Sequence, residues 1–208
     1  MSAAGEICLT CQPGKEGNCL VFPYQVRNAG SVEAYVMDAA PSVPGASREA
    51  KASANFAVVL HGPGEDVTIG KFIAPLPTDR RVAMPVIPLA RRLAPGESLQ
   101  GRLEIATPLA EISPYFADLP LRQYEMVEVK AVQFTIGYWL AGADGLAALP
   151  VAYAPELYTV VTRNTGRSAL RVVQRYPARS LQLFRRTDAF PRDLAGEAWP
   201  PARALAAP

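Results

Sequence analysis

The chain has 208 residues, half of them hydrophobic and 19% charged, with a formal net charge of +2. That composition is too rich in core formers for a disordered chain, and the length suits one all-β domain. No stretch approaches the roughly 18 uninterrupted apolar residues of a membrane-spanning helix. The N-terminal MSAAGEICLTC has neither the basic start nor the apolar run of a secretory signal, so the expectation is a cytoplasmic protein with no membrane span.

Period-two alternation, the mark of a half-buried strand, begins at Leu20, Phe22, Tyr24 and Val26, interleaved with Val21, Pro23, Gln25 and Arg27. The turn Asn28-Ala29-Gly30 follows. Ser47 to Ala54 reads as one or two helical turns or a loop bridging sheets. Phe56, Val58 and Leu60 resume the alternation up to the turn His61-Gly62-Pro63-Gly64, and Val67 and Ile69 continue it. After Pro95-Gly96-Glu97, Leu99, Leu103 and Ile105 face one way while Ser98, Gln100, Arg102 and Glu104 face the other.

The longest run is Val132, Phe134, Ile136, Tyr138 and Leu140, with Gln133, Thr135, Gly137 and Trp139 opposite, and it is expected at the sandwich centre. Asp144-Gly145 and Asn164-Thr165-Gly166 supply further turns of the kind that suits a sandwich or barrel. Arg167 to Tyr176 fits a helical face or a strand, and the Val172-Val173 pair with the following Pro177 favours the strand. Pro23, Pro85 and Pro88 lie within strand-like runs and, lacking a donor, are expected on edge strands or at bulges. The fold class expected is all-β, an antiparallel sandwich of about 8–10 strands with little helix. It should form one domain over residues 1–194, with an extended Pro-rich arm over 195–208.

The middle of the chain carries PLARRL, the turn APGES, the strand LQGRLEI and, after a linker, VQFTIGYWL. Over Val82 to Leu140 this resembles the later strands of immunoglobulin-like sandwich domains. The resemblance implies that fold, and recognition more than chemistry. The cysteine pair and buried tryptophan of antibody domains have no counterpart at the matching positions, so no functional residue is carried over.

Cys8, Cys11 and Cys19 form a CxxC followed by a third thiol. Reduced thiols are the first reading. Zinc is a secondary one, since a tetrahedral site needs four ligands and the fourth would be His61, the only histidine, or a residue of another subunit. His61, at a strand end before Gly-Pro-Gly, reads as an exposed turn residue rather than a general base. No nucleophile elbow, dinucleotide fingerprint or phosphate-binding loop is present, and the acids Asp118, Glu125 and Glu128 read as a solvated rim rather than a glycosidase pair. An enzyme is not expected.

Charge is distributed unevenly. From Arg163 to Arg192 there are eight arginines against the single acid Asp188, so this segment carries +7 and the rest −5. Only four of the 21 basic residues are lysine, so a general arginine bias inflates the count. On a strand, Arg171 and Arg175 share one face, and Arg167 and Arg179 keep the same parity, a row of guanidiniums suited to carboxylates or phosphates. Nucleic acid is disfavoured because neither interleaved exposed aromatics nor a nucleic-acid-binding fold is evident. The leading expectation is a non-enzymatic interaction or assembly module that contacts an acidic protein partner, or another copy of itself, through the Arg-rich segment. Two alternatives stand beside it: a carbohydrate or small-ligand binding module using exposed Trp139 and Tyr138, and a metal-binding protein using the cysteines.

Overall fold

A computed structural model of the chain describes residues 7–42, 51–62, 65–76, 82, 84–116, 121–143, 145–163, 168–187 and 203–204. Its strands are β1 (Ile7–Cys11), β2 (Gly14–Glu16), β3 (Cys19–Asn28), β4 (Ala34–Ser42), β5 (Lys51–Ser53), β6 (Val58–His61), β7 (Asp66–Lys71) and β8 (Leu89–Leu93). They continue with β9 (Ser98–Ala106), β10 (Leu109–Ala110), β11 (Tyr124–Leu140), β12 (Ala147–Val151), β13 (Ala154–Val161), β14 (Leu170–Arg186) and β15 (Arg203–Ala204). The molecule is an all-β sandwich, and Arg167–Tyr176 resolves in favour of the strand from Leu170 onward. Of Ser47 to Ala54, only residues 51–54 are described, and Lys51–Ser53 forms β5 on β4. The C-terminal arm, apart from Arg203–Ala204, lies outside the described residues.

The smaller sheet has four strands, with β3 between β9 on one side and β1 and β2 on the other. Ile7 faces Asn28, Cys11 faces Tyr24, Gly14 faces Val21 and Glu16 faces Cys19, so β1 and β2 are one edge strand in unbroken register. The hairpin to β3 turns at Gly17, whose φ of 56° suits the first central position of a two-residue loop. Pro23 therefore sits in an internal strand, not at an edge. Its carbonyl accepts from the Gln12 amide at 3.2 Å, but it has no N–H to return, and the edge strand is interrupted at that point, between Cys11 and Gly14.

The larger sheet forks. β11 pairs along one edge with β14, while its other edge carries β7 at Ala131–Ile136 and then β4 at Tyr138–Leu140. Close approach at the fork requires glycine: a Cβ at Gly70 would stand 1.8 Å from the Thr135 carbonyl oxygen, and one at Gly137 would stand 2.4 Å from the Met37 sulfur. The β7–β11 pair is parallel, as are β10–β14 and β14–β15, so the sandwich is antiparallel in most of its pairings rather than in all.

The two sheets meet through Phe22, stacked on Phe134 with ring centroids 5.0 Å apart, and Tyr24, tilted against the same ring. Val26, Leu103, Ile136, Val172 and Leu183 complete this core. A second core forms on the opposite face of the larger sheet from Tyr35, Met37, Leu60, Phe72, Trp139 and Val160, joined by Phe56, Tyr115 and Phe116 from connecting segments. β11 is thus central and covered on both faces, which explains why its apolar residues fall on both parities.

Candidate functional site

The late arginines are engaged within the fold. Arg171 turns its guanidinium over the Phe72 ring at 4.4 Å and reaches the Ile73 carbonyl, and burial pushes its pKa down to about 10. Arg175 donates to both carboxylate oxygens of Asp66, at 3.0 and 3.2 Å. Burial raises the Asp66 pKa, but the hydrogen bonds from Arg175 and Gln133 and the Arg175 charge outweigh it and hold the carboxyl below its usual range. Arg185 pairs with Glu125, and the buried Arg186 lies 4.3 Å from the Phe116 ring. Arg167 and the Arg179 side chain lie outside what the structure describes.

The expected single row of arginines also breaks at a bulge. Val172, Tyr176 and Ala178 pack on the inter-sheet core, and then Leu181 and Leu183 do so, which shifts the inward parity by one. The shift falls at Ser180, where φ is 55°, and across it three β14 residues oppose Lys130 alone, between the pairs Val129–Leu181 and Ala131–Pro177. Arg171 and Arg175 lie on one face, and Arg185 lies on the other. Parity counting assumed an unbroken strand with a solvated outer face, whereas that face carries the second core.

Two further expectations are corrected, the exposed aromatics and the exposed histidine, while the cysteines keep the reduced reading given first. Trp139 is 0% exposed and Tyr138 7%, the first in the second core and the second between the sheets, so they form no open stacking platform. Cys8, Cys11 and Cys19 are free thiols. On a strand the three-residue spacing of Cys8 and Cys11 sends them to opposite faces, and Cys19 lies five β3 positions from the Cys11 partner Tyr24, about 17 Å along the strand. No group of three His, Cys, Asp or Glu among the described residues converges as a metal site. His61 is buried rather than exposed, as the last residue of β6, with its amide on the Glu111 carboxylate at 3.0 Å.

Two buried charge clusters pin the fold. Asp38, at the irregularity in β4, accepts from Lys71 Nζ at 3.1 Å and from Arg91 Nε at 3.1 Å, while Lys71 also donates to the Asp38 carbonyl at 2.6 Å. Glu111 binds the backbone amides of His61 and Arg186, at 3.0 and 2.7 Å, which ties β6 to β14. Each carboxylate has both oxygens engaged by donors of the fold. Neither cluster presents an open coordination position.

One open feature of the described residues is a groove of about 580 Å³ at one edge of the sandwich, between the β2–β3 hairpin and the bulged stretch of β14. Leu20, Phe22, Val132, Pro177 and Leu181 contribute apolar surface beside the polar Thr107, Ser180 and Gln182, and among the described residues Lys15 is the one charged side chain in its lining. Pro177 and the Ser180 bulge deny β14 a regular ladder here. Among the described residues no strand pairs with its outer edge between Gln174 and Gln182.

Further along the same edge the two sheets are closed. The Gln174 Oε1 accepts from the Cys11 amide at 3.0 Å, and the Tyr176 hydroxyl donates to the Cys11 carbonyl at 2.6 Å. Sequence reasoning missed the groove because its two walls are more than 150 residues apart. The local signal was present in the slip of apolar parity after Tyr176, beside Pro177. No family model, curated protein or solved structure matches the chain, and among the described residues no helix is long and apolar enough to cross a membrane.

Proposed function

We propose that the chain is a non-enzymatic interaction or assembly module that engages an acidic protein partner at the sandwich edge where late strand β14 meets the β2–β3 hairpin. The observation that carries this reading is the groove of mixed polar and apolar lining in which Lys15 is the one charged side chain among the described residues. Its volume lies in the range of roughly 300–1,000 Å³ typical of binding clefts. The arginines of β14 serve in this reading to hold the strand in place, through Asp66, Glu125 and the Phe72 ring, more than to meet the partner directly. The likeness of Val82–Leu140 to immunoglobulin-like strands agrees with a recognition role at the level of fold analogy.

A carbohydrate-binding role through Trp139 loses its premise with the burial of that ring, and a metal-binding role loses its premise with the divergence of the cysteines. The test is capture of proteins on the tagged full chain, because deleting β14 would strip the partner strand from β11. Gln182→Trp adds bulk at an exposed residue of the groove lining, and Leu149→Lys alters an exposed residue on β12, the far end of the larger sheet. Proteins retained by the unaltered chain and by Leu149→Lys should be lost with Gln182→Trp. Retention by all three chains, or by none, contradicts the reading.

A further inference from the structure

We propose that the groove receives an extended segment of the partner protein in which an acidic residue stands beside apolar ones, paired backbone to backbone with Lys15 on β2. This rests on the recognition reading above and specifies the chemistry of its partner.

The argument begins with register. In the edge strand formed by β1 and β2, the Gln12 amide points to β3, where it meets Pro23. In an antiparallel ladder alternate residues point their N–H and C=O groups toward and away from a given neighbour. The Cys11 groups accordingly point away from β3, and Gln174 and Tyr176 meet them there. Lys15 lies four residues further along the same unbroken register, opposite Leu20. Its N–H and C=O point away from β3 as well, but at that level β14 has bent away through Pro177 and the Ser180 bulge. Among the described residues no side chain caps them.

Such an outward donor and acceptor form a short template for strand addition. β14 does not offer a comparable one, because Pro177 has no N–H and Ser180 breaks the ladder. A segment laid on β2 would direct apolar side chains between Leu20, Phe22 and Leu181. The Lys15 ammonium, among the described residues the sole charge in the lining and without an ion pair, supplies the complement for a carboxylate. Charge complementarity therefore selects an acidic and apolar segment over a basic one.

The test is to pan random peptides displayed on phage against the full chain and against Lys15→Glu and Gln182→Trp, each with its thermal unfolding matched to the unaltered protein. The unaltered chain should enrich sequences with Asp or Glu beside apolar residues. Lys15→Glu should weaken a selected peptide by about tenfold or more, and replacing that peptide's acid with Lys should restore its binding to Lys15→Glu. Gln182→Trp should abolish binding. Decanoate, an apolar chain with a carboxylate, serves as the small-molecule arm.

An enriched set without acids, no enrichment, or affinity unchanged by Lys15→Glu would overturn the inference. So would decanoate binding in the groove with no peptide selected. If these results came with protein capture that still depended on the groove, the recognition reading would stand and its acidic-segment form would fall. Protein capture indifferent to Gln182→Trp would remove both.

Discussion

Cys11 and Lys15 occupy the same edge strand, point their backbone groups in the same direction and meet different surroundings. At Cys11 the larger sheet leans in, and the Gln174 and Tyr176 side chains take up the exposed amide and carbonyl. At Lys15 the neighbouring strand has bulged away, leaving a groove. A strand edge is closed or opened here by a few side chains and one irregularity rather than by a change of fold. Sandwiches carry this choice wherever two sheet edges run side by side, because unpaired backbone must be covered or left as a template.

The largest expected effect comes from the residue both halves share. Phe22→Ala removes the ring stacked on Phe134 and should cost about 3–5 kcal/mol in denaturant unfolding. A loss under about 1 kcal/mol would mean that the sheets are not held together at this point. Tyr176→Phe removes the cap on the Cys11 carbonyl and should cost about 0.5–1.5 kcal/mol, since one hydrogen bond is lost in a partly buried setting. Gln174→Ala should act in the same range through the Cys11 amide.

The closed half should also show itself in alkali. Burial outweighs the Tyr176 hydrogen bond and pushes the Cys11 thiol up to about 11, above the value of about 8.5 for an unfolded cysteine. The native state then keeps a proton that the unfolded state releases. Stability from this group is fully present below about pH 8.5 and is lost as pH rises towards about 11. Tyr24 and Tyr176, also raised, chiefly by burial, add to the loss in the same direction. Cys11→Ala should reduce the alkaline slope by about 1–2 kcal/mol over that window, measured as unfolding free energy against pH. An unchanged slope would place the thiol in contact with solvent. The smallest stability effect belongs to the open half: Lys15→Glu should shift unfolding by less than about 0.5 kcal/mol while weakening partner capture.

The strands were legible in the sequence where one rule governed them. Leu20 to Val26 and Leu99 to Ile105 alternate because one face meets the core, and both form strands where the alternation places them. Val132 to Leu140 was legible as the central strand, but its second buried face was not, so Trp139 read as outward although it lies in the second core. The forked pairing of β11 was hidden for the same reason: Gly70 and Gly137 are the positions that allow it, and an isolated glycine carries no partner in its spacing.

Arg171 and Arg175 were correctly placed together on one face, yet their roles depend on Phe72 and Asp66, which approach from more than 95 residues away in sequence. The groove depended on the Ser180 bulge, where the inward parity shifts, and strand periodicity extends across such a site without registering it. Lys15 carries no motif at all. It becomes distinctive only when the register of β1 and β2 shows that it repeats the position of Cys11 without the caps.

Amide hydrogen exchange at Cys11 and Lys15 in the unliganded full chain tests the contrast most directly, since both amides lie on one edge and point the same way. A slow Cys11 amide and a fast Lys15 amide, the latter slowing when a selected acidic peptide is added, is the result this structure predicts. Equal protection of the two amides in the free protein would show that the edge is covered at Lys15 as well, and would contradict an open recognition site there.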